Sequence, residues 1–200
     1  MRTSAAFRAR GGTHDAAEGN HRMAIGRRTV LIGVLSGAAG LTGLGRAARA
    51  FATEAQGLSL YHLHTAETLR IVYREHGEIV SGALDEINYF LRDFRNDRLH
   101  SIDVALLDEL CRLYQAFDGR GRFEVISGYR SPQTNEALRH VSTGVAKNSL
   151  HLAGRAIDVR LTSAKTDRLR DAAIALQSGG VGYYRDSNFV HIDTGDFRTW

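Results

Sequence analysis

Apolar and polar positions alternate from residue 57 onward. Leu58, Leu60, His62 and His64 share one face, and Ser59, Tyr61, Leu63 and Thr65 share the other. A period of two is that of an extended strand. With the later Leu69-Arg-Ile-Val-Tyr73 run and the turn residues His76-Gly77, this region predicts a β-hairpin. The period then lengthens. Apolar residues at 84, 87, 90, 91 and 94 form the stripe of an amphipathic helix over Leu84–Phe94. Ile102–Phe117 predicts a second helix, with Ser101 as N-cap and Gly119 just past its end. Phe123-Glu-Val-Ile126 is a short strand that runs into the turn Ser127-Gly-Tyr-Arg-Ser-Pro132. Thr134–Val141 predicts a helix capped by Thr134 or Ser131, and polar Ser142–Gly154 a loop. Alternation returns in Arg155–Leu161: Ile157, Val159 and Leu161 face one side, Ala156, Asp158 and Arg160 the other. Lys165–Gln177 is a third main helix, ended by Gly179-Gly180. Gly182-Tyr-Tyr184 and Phe189–Asp193 are strands, and Phe189, His191 and Asp193 share a face of the second. Long helices come first and strands gather afterwards. That order predicts a single-domain α+β fold, helices packed on a mostly antiparallel sheet.

The first 50 residues have a different character. They hold eight arginines, no lysine and two acids, Asp15 and Glu18. Residues 51–200 therefore carry 26 − 8 = 18 basic and 22 − 2 = 20 acidic residues, a net charge of −2. The +4 of the whole chain belongs to its leader and gives no ground for a nucleic-acid partner. Arg27-Arg28 precedes an uncharged run from Thr29 to Gly45, and Ala48-Arg49-Ala50 follows with small residues at both ends. This is the order of an export signal: charged segment, apolar segment, cleavage site. The arginine pair resembles a twin-arginine signal. The apolar run is short and Gly-rich against the roughly 20 apolar residues of a membrane span, so no stable membrane insertion is expected after cleavage. Residues 1–52 read as signal and leader, and 53–200 as the functional domain. Met23 serves as a start as well as Met1. The single cysteine, Cys111, excludes an intramolecular disulfide and sits among Leu106, Leu110 and Leu113 as a buried structural thiol.

Candidate chemistry concentrates in Ser149-Leu-His-Leu-Ala-Gly-Arg-Ala-Ile-Asp158. Zinc accepts imidazole nitrogen and carboxylate oxygen. Gly154 allows a tight turn that brings His151 back toward Asp158, and small Ala156 leaves room beside the carboxylate. A third ligand is expected from a neighbouring strand, and His191 fits, with Asp193 on its face. Three protein ligands leave one position open for water, the catalytic arrangement. Seven histidines follow residue 50, so chance combinations exist. On the residues alone, Asp158 as a strand-end carboxylate and His191 as a core histidine remain equally open. His62-x-His64 also has metal-ligand spacing, or serves as surface or packing histidines.

The pattern S-x-H-x-x-G-x-A-x-D is matched by Ser149, His151, Gly154, Ala156 and Asp158. It resembles the zinc-ligand motif of the D-alanyl-D-alanine carboxypeptidase and dipeptidase group. That group shares a superfamily with lysostaphin-type peptidases and the hedgehog domain. Ser127-Gly-Tyr-Arg-Ser-Pro-Gln-Thr-Asn135, Val145-Ala-Lys-Asn-Ser-Leu-His151 and Gly179-Gly-Val-Gly-Tyr-Tyr184 with Phe189-Val-His-Ile-Asp-Thr-Gly195 resemble, more narrowly, the murein endopeptidase K family. The resemblance spans roughly residues 57–200, and those relatives also carry a twin-arginine-type leader. It implies a periplasmic, zinc-dependent endopeptidase that hydrolyses the cross-links of peptidoglycan stem peptides. One zinc ion per chain would be held by His151, Asp158 and His191. Arg130 would bind a substrate carbonyl or carboxylate and stabilise the oxyanion. Two other readings stand beside it: a D,D-carboxypeptidase, and a non-catalytic zinc-stabilised module that binds peptidoglycan or a partner protein. One departure supports the last. Better-known members of the group have an acid three residues before the final histidine, acting as general base, and here that residue is Asn188. Asp193 is the expected catalytic carboxylate instead, with Asp186 a more distant candidate. The same strand geometry equally makes Asp193 the partner that orients His191.

Overall fold

The computed structural model describes residues 55–142 and 144–200. The leader and its export signal lie outside the described residues. Among the described residues, eight strands form one sheet, in the order β3-β2-β1-β4-β5-β7-β6-β8. They are β1 (Gln56–His62), β2 (Thr68–Glu75), β3 (Glu78–Ile79), β4 (Phe123–Ser127), β5 (Ala156–Leu161), β6 (Gly180–Tyr184), β7 (Phe189–Asp193) and β8 (Arg198–Thr199). Only the β1–β4 and β6–β8 pairs are parallel. Four α-helices among the described residues accompany the sheet: α1 (Ala83–Phe90), α2 (Val104–Ala116), α3 (Pro132–Val141) and α4 (Thr166–Leu176). The expected α+β architecture is the one observed. Among the described residues, no helix is long and apolar enough to cross a membrane.

The core lies where the helical and strand stripes meet. Leu106, Leu107, Leu110 and Leu113 of α2 are fully buried with Leu60 of β1, Phe123 of β4 and Ile157 and Val159 of β5. Full burial of each such side chain contributes roughly 1.5–3 kcal/mol. Cys111 is buried among them, as its leucine neighbours imply.

Element boundaries move where side chains find better partners. The first hairpin turns at residues 63–67, not at His76-Gly77, which closes the shorter β2–β3 hairpin. The turn is built by His62, whose Nδ1 accepts the backbone N–H groups of His64 and Thr65 at 3.2 and 3.4 Å. Helix α1 stops at Phe90, and Phe94 instead stacks on His64 with ring centroids 4.3 Å apart. Helix α2 is capped by Asp103 rather than Ser101: its carboxylate accepts the Ala105 N–H at 3.0 Å. Asp103 can do so because its own N–H donates to the Gly154 carbonyl, which holds it extended. Helix α4 ends at Gln177 in a left-handed conformation, before the glycine pair. Gly179 has another cause: a Cβ there would collide with the Asp193 carbonyl. The pair lets two strands approach, and Gly180 already belongs to β6.

Glu109 is the exception inside α2. It is 1% exposed, and neither carboxylate oxygen has a hydrogen-bond partner. Burial pushes its carboxyl up to about 7, opposed by Arg112 and reinforced by Asp193. The folded state thus binds this proton more tightly than the unfolded chain. The stability it contributes is complete below the ordinary carboxylate value near 4.5 and is lost as pH rises through about 7. Denaturant melts from pH 4.5 to 8 should show the parent losing up to roughly 3 kcal/mol more than Glu109→Gln over that range. Equal slopes for the two proteins would contradict a buried, unpaired carboxylate.

Candidate metal centre

Sheet register brings the predicted residues together. Asp158 on β5 and His191 on β7 are directly paired across the antiparallel ladder, so their side chains leave the same face side by side. His151 arrives from a single 3-10 turn, Leu150–Ala153, that ends at Gly154 in the left-handed region with φ 65°. A Cβ at Gly154 would collide with the Ser101 carbonyl, so glycine is required twice over. His151, Asp158 and His191 are all buried, and one donor atom from each lies within 4.8 Å of the others. His191 Nδ1 is 2.8 Å from Asp158 Oδ1, and His151 Nε2 is 3.3 Å from Asp158 Oδ2. Two imidazoles and a carboxylate form a donor set that could hold a metal ion.

Neighbouring acceptors set both imidazole tautomers. His151 Nδ1 donates to the Gly128 carbonyl at 2.7 Å, which leaves Nε2 facing Asp158. His191 Nε2 contacts Asp193 Oδ2 at 3.0 Å, which leaves Nδ1 facing Asp158. A ring nitrogen pointed at the cluster while the other donates to an oxygen is the usual support of a metal-binding histidine. The electrostatics agree. Burial lowers the His191 pKa, but Asp158 and Asp193 outweigh it and raise it to about 9, so the field there favours a cation. Burial likewise pushes the Asp158 carboxyl up, and the charges and hydrogen bonds of His151 and His191 hold it well below the carboxylate range.

Asp193 is fully buried and fully engaged. Its Oδ1 accepts from the Gly180 and Gly195 N–H groups at 3.1 and 2.9 Å and from Arg198 Nη1 at 3.1 Å. Its Oδ2 accepts from Arg198 Nη2 at 2.7 Å and faces His191. Burial pushes this carboxyl up, but the His191, Arg198 and Gly195 bonds prevail and hold it well below its ordinary value. Asn188 faces elsewhere: with φ 53°, it accepts a hydrogen bond from Thr166 Oγ1 at 2.6 Å, at the start of α4. Neither Asn188 nor Asp186 lines the cleft that holds the cluster. The His62-x-His64 pair is structural. His62 is buried edge-on against Phe90 and Phe94, and burial, then His64, lower its pKa to about 4.

The cleft has a volume of about 500 Å³, and Arg130 is on its wall. Arg130 is 9% exposed, its Nη1 donates to Asn135 Oδ1 at 3.4 Å, and its Nη2 is 3.9 Å from Asp158 Oδ2. Its Nε is buried without a partner. The turn that carries it is anchored by Asp93, a residue the sequence reading passed over. Asp93 accepts the Ser131 N–H at 2.9 Å and the Arg95 N–H at 3.2 Å. Burial raises its carboxyl, but these bonds and those from the Thr134 and Ser131 hydroxyls hold it below its ordinary value. No local sequence pattern marks such a residue, because Ser131, its partner on the turn, is 38 positions away. Arg198 and Trp200, on and beside the short β8, were also missed, and both line the cleft.

Residues 50–200 match the family described as peptidoglycan L,D-endopeptidase MepK. The chain is 43% identical over 143 residues to the peptidoglycan L,D-endopeptidase MepK of Escherichia coli strain K12, a stretch covering 72% of this chain and 79% of that protein. It is 38% identical over 144 residues to the probable peptidoglycan L,D-endopeptidase MepK of Haemophilus influenzae, covering 72% and 77%.

Removing the Asp93 carboxylate should leave buried N–H groups unpaired. Asp93→Ala is expected to cost about 2–4 kcal/mol and lower the melting temperature by several degrees. A melt that overlays the parent would show that the Arg130 turn does not depend on this anchor.

Proposed function

Because the chain belongs to the peptidoglycan L,D-endopeptidase MepK family, we propose that it is a zinc-dependent endopeptidase of peptidoglycan. It hydrolyses cross-links between stem peptides, at a bond joining an L- to a D-configured residue. The observation that carries this reading is the buried His151, Asp158, His191 cluster on a cleft shared with an under-bonded arginine. The choice of bond rests on the relatives' names; the residues themselves left it open, and the names favour it over a D,D-carboxypeptidase. The Arg27-Arg28 signal supports export through the twin-arginine route to the periplasm, where this substrate lies.

His151 Nε2, Asp158 and His191 Nδ1 would hold one zinc ion per chain. A zinc ion there would supply Lewis-acid chemistry for hydrolysis of the scissile peptide bond. Arg130 binds the substrate: its guanidinium, on the cleft wall and held by a buried turn, meets the carbonyl oxygen and stabilises the negative charge that grows on it. Asp193 is given the positioning role rather than that of general base. Both its oxygens are committed to Gly180, Gly195, Arg198 and His191, which leaves no lone pair for a water's proton. Its work is to keep His191 Nε2 protonated and the ring turned.

One observation favours the non-catalytic binding module. Among the described residues lining the cleft, Asp158 and Asp193 are the only carboxylates, and neither is free. One assay separates the readings. The full chain is incubated with purified peptidoglycan, with zinc and after chelation, and released muropeptides are read by mass spectrometry. Zinc-dependent loss of dimers cross-linked through L-to-D bonds is expected. Unchanged muropeptides from a protein that holds one zinc would make it the binding module. In the same assay Asp193→Ala should lose activity by losing metal, its zinc affinity falling about 10–100-fold. Lost activity at parental zinc affinity would instead make Asp193 the proton-transfer group.

A further inference from the structure

A second feature of the cleft has no part in holding metal. Trp200 lines it beside His191, with ring centroids 5.3 Å apart and planes tilted by 50°. The indole is held on several sides. Its Nε1 donates to Tyr184 Oη at 3.2 Å, and Tyr184 stacks on Phe189 at 4.5 Å. The Arg198 guanidinium that chelates Asp193 lies 5.1 Å from the indole centre. The Trp200 backbone is bonded in both directions to β6, through Val181 and Tyr183. Beneath the ring lies Gly182, where a Cβ would come within 2.6–2.8 Å of indole atoms. Side chain, backbone and the missing Cβ all fix the ring in one place, yet Trp200 remains 51% exposed. A rigid, half-exposed tryptophan on the rim of a reaction cleft is organised to bury its remaining face against a ligand.

We propose that Trp200 is a substrate-binding residue: its indole face, with the Tyr184–Phe189 pair, takes the aliphatic part of a cross-linked stem peptide while Arg130 takes a carbonyl or carboxylate of the same peptide. This rests on the endopeptidase reading above. The wall offers little to a charged group, because Arg198 is already committed to Asp193 through both terminal nitrogens. What it offers is flat apolar surface, which suits methylene groups and peptide planes. The cleft is thus cationic at Arg130 and aromatic at Trp200, and the two features read different parts of one ligand. Trp200 touches substrate and contributes no donor atom to the His151, Asp158, His191 cluster, so its loss should weaken binding more than chemistry.

Trp200 is the chain's only tryptophan, so intrinsic fluorescence reports this site alone. The full-length zinc-loaded protein is titrated with the monomeric muropeptide that cleavage releases. A saturable emission change and reduced quenching by acrylamide are expected. With soluble cross-linked dimers, Trp200→Ala should raise KM about tenfold or more, with kcat kept within about threefold. Gly182→Ala, which retains the indole but displaces it, should do the same. Zinc content should stay at the parental value in both. Muropeptide binding detected by calorimetry without any change in emission or quenching would overturn the proposal. So would parental KM in both variants. A parent that neither binds nor cleaves would instead remove the endopeptidase reading, and the assignment of Trp200 with it. If a variant fails to fold, the fluorescence titration of the unaltered protein still decides.

Discussion

The pairing of Asp158 with His191 across β5 and β7 is the constraint on which the site depends. A strand's side chains alternate in face, so a slip of one residue would send His191 to the other side of the sheet. Apolar neighbours prevent it: Ile157, Val159, Val190 and Ile192 are fully buried on the alternate positions. The core thereby specifies the register, and the register places the polar cluster. A buried carboxylate is costly unless surrounded by donors and positive charge. Here Asp158 meets two imidazoles and the edge of a guanidinium.

Around that pair, each remaining group is tied to a different element. The turn bearing His151 is fastened to the turn bearing Arg130 by two bonds: Arg130 N–H donates to the His151 carbonyl, and His151 Nδ1 donates to the Gly128 carbonyl. Asp93 fastens the second turn from beyond α1. On the other side, Arg198 and two backbone N–H groups fix Asp193, which fixes His191. The cluster is therefore organised by contacts that reach all three donor residues. Such preorganisation is what a site needs to present ligands without rearrangement.

Much of this was legible in the chain because it is local. The period of two in Arg155–Leu161 and Phe189–Asp193 placed Asp158 and His191 on strands with their correct faces, and the α2 leucine stripe located the core. The spacing from His151 through Gly154 to Asp158 marked a turn followed by a strand, as found. Readings that depended on distant contacts were less secure. The cap of α2 shifted from Ser101 to Asp103 because Gly154, about fifty residues away, holds Asp103 extended. Gly179-Gly180 read as a helix stop, whereas close approach to Asp193 explains the first. Asp193 had two possible roles on strand geometry alone. Arg198 donates to both of its oxygens, which supports the positioning role proposed above, and nothing local announced that contact.

The β5–β7 register brings two imidazole nitrogens and one carboxylate together as a candidate metal centre. Zinc-edge X-ray absorption on the purified protein, with elemental analysis of the same sample, tests it most directly. One zinc per chain is expected, bound by nitrogen and oxygen neighbours at about 2.0–2.2 Å, and no zinc in Asp158→Ala. A correctly folded protein that takes up no metal in excess zinc, or an Asp158→Ala variant that keeps its zinc with an unchanged spectrum, would contradict the account.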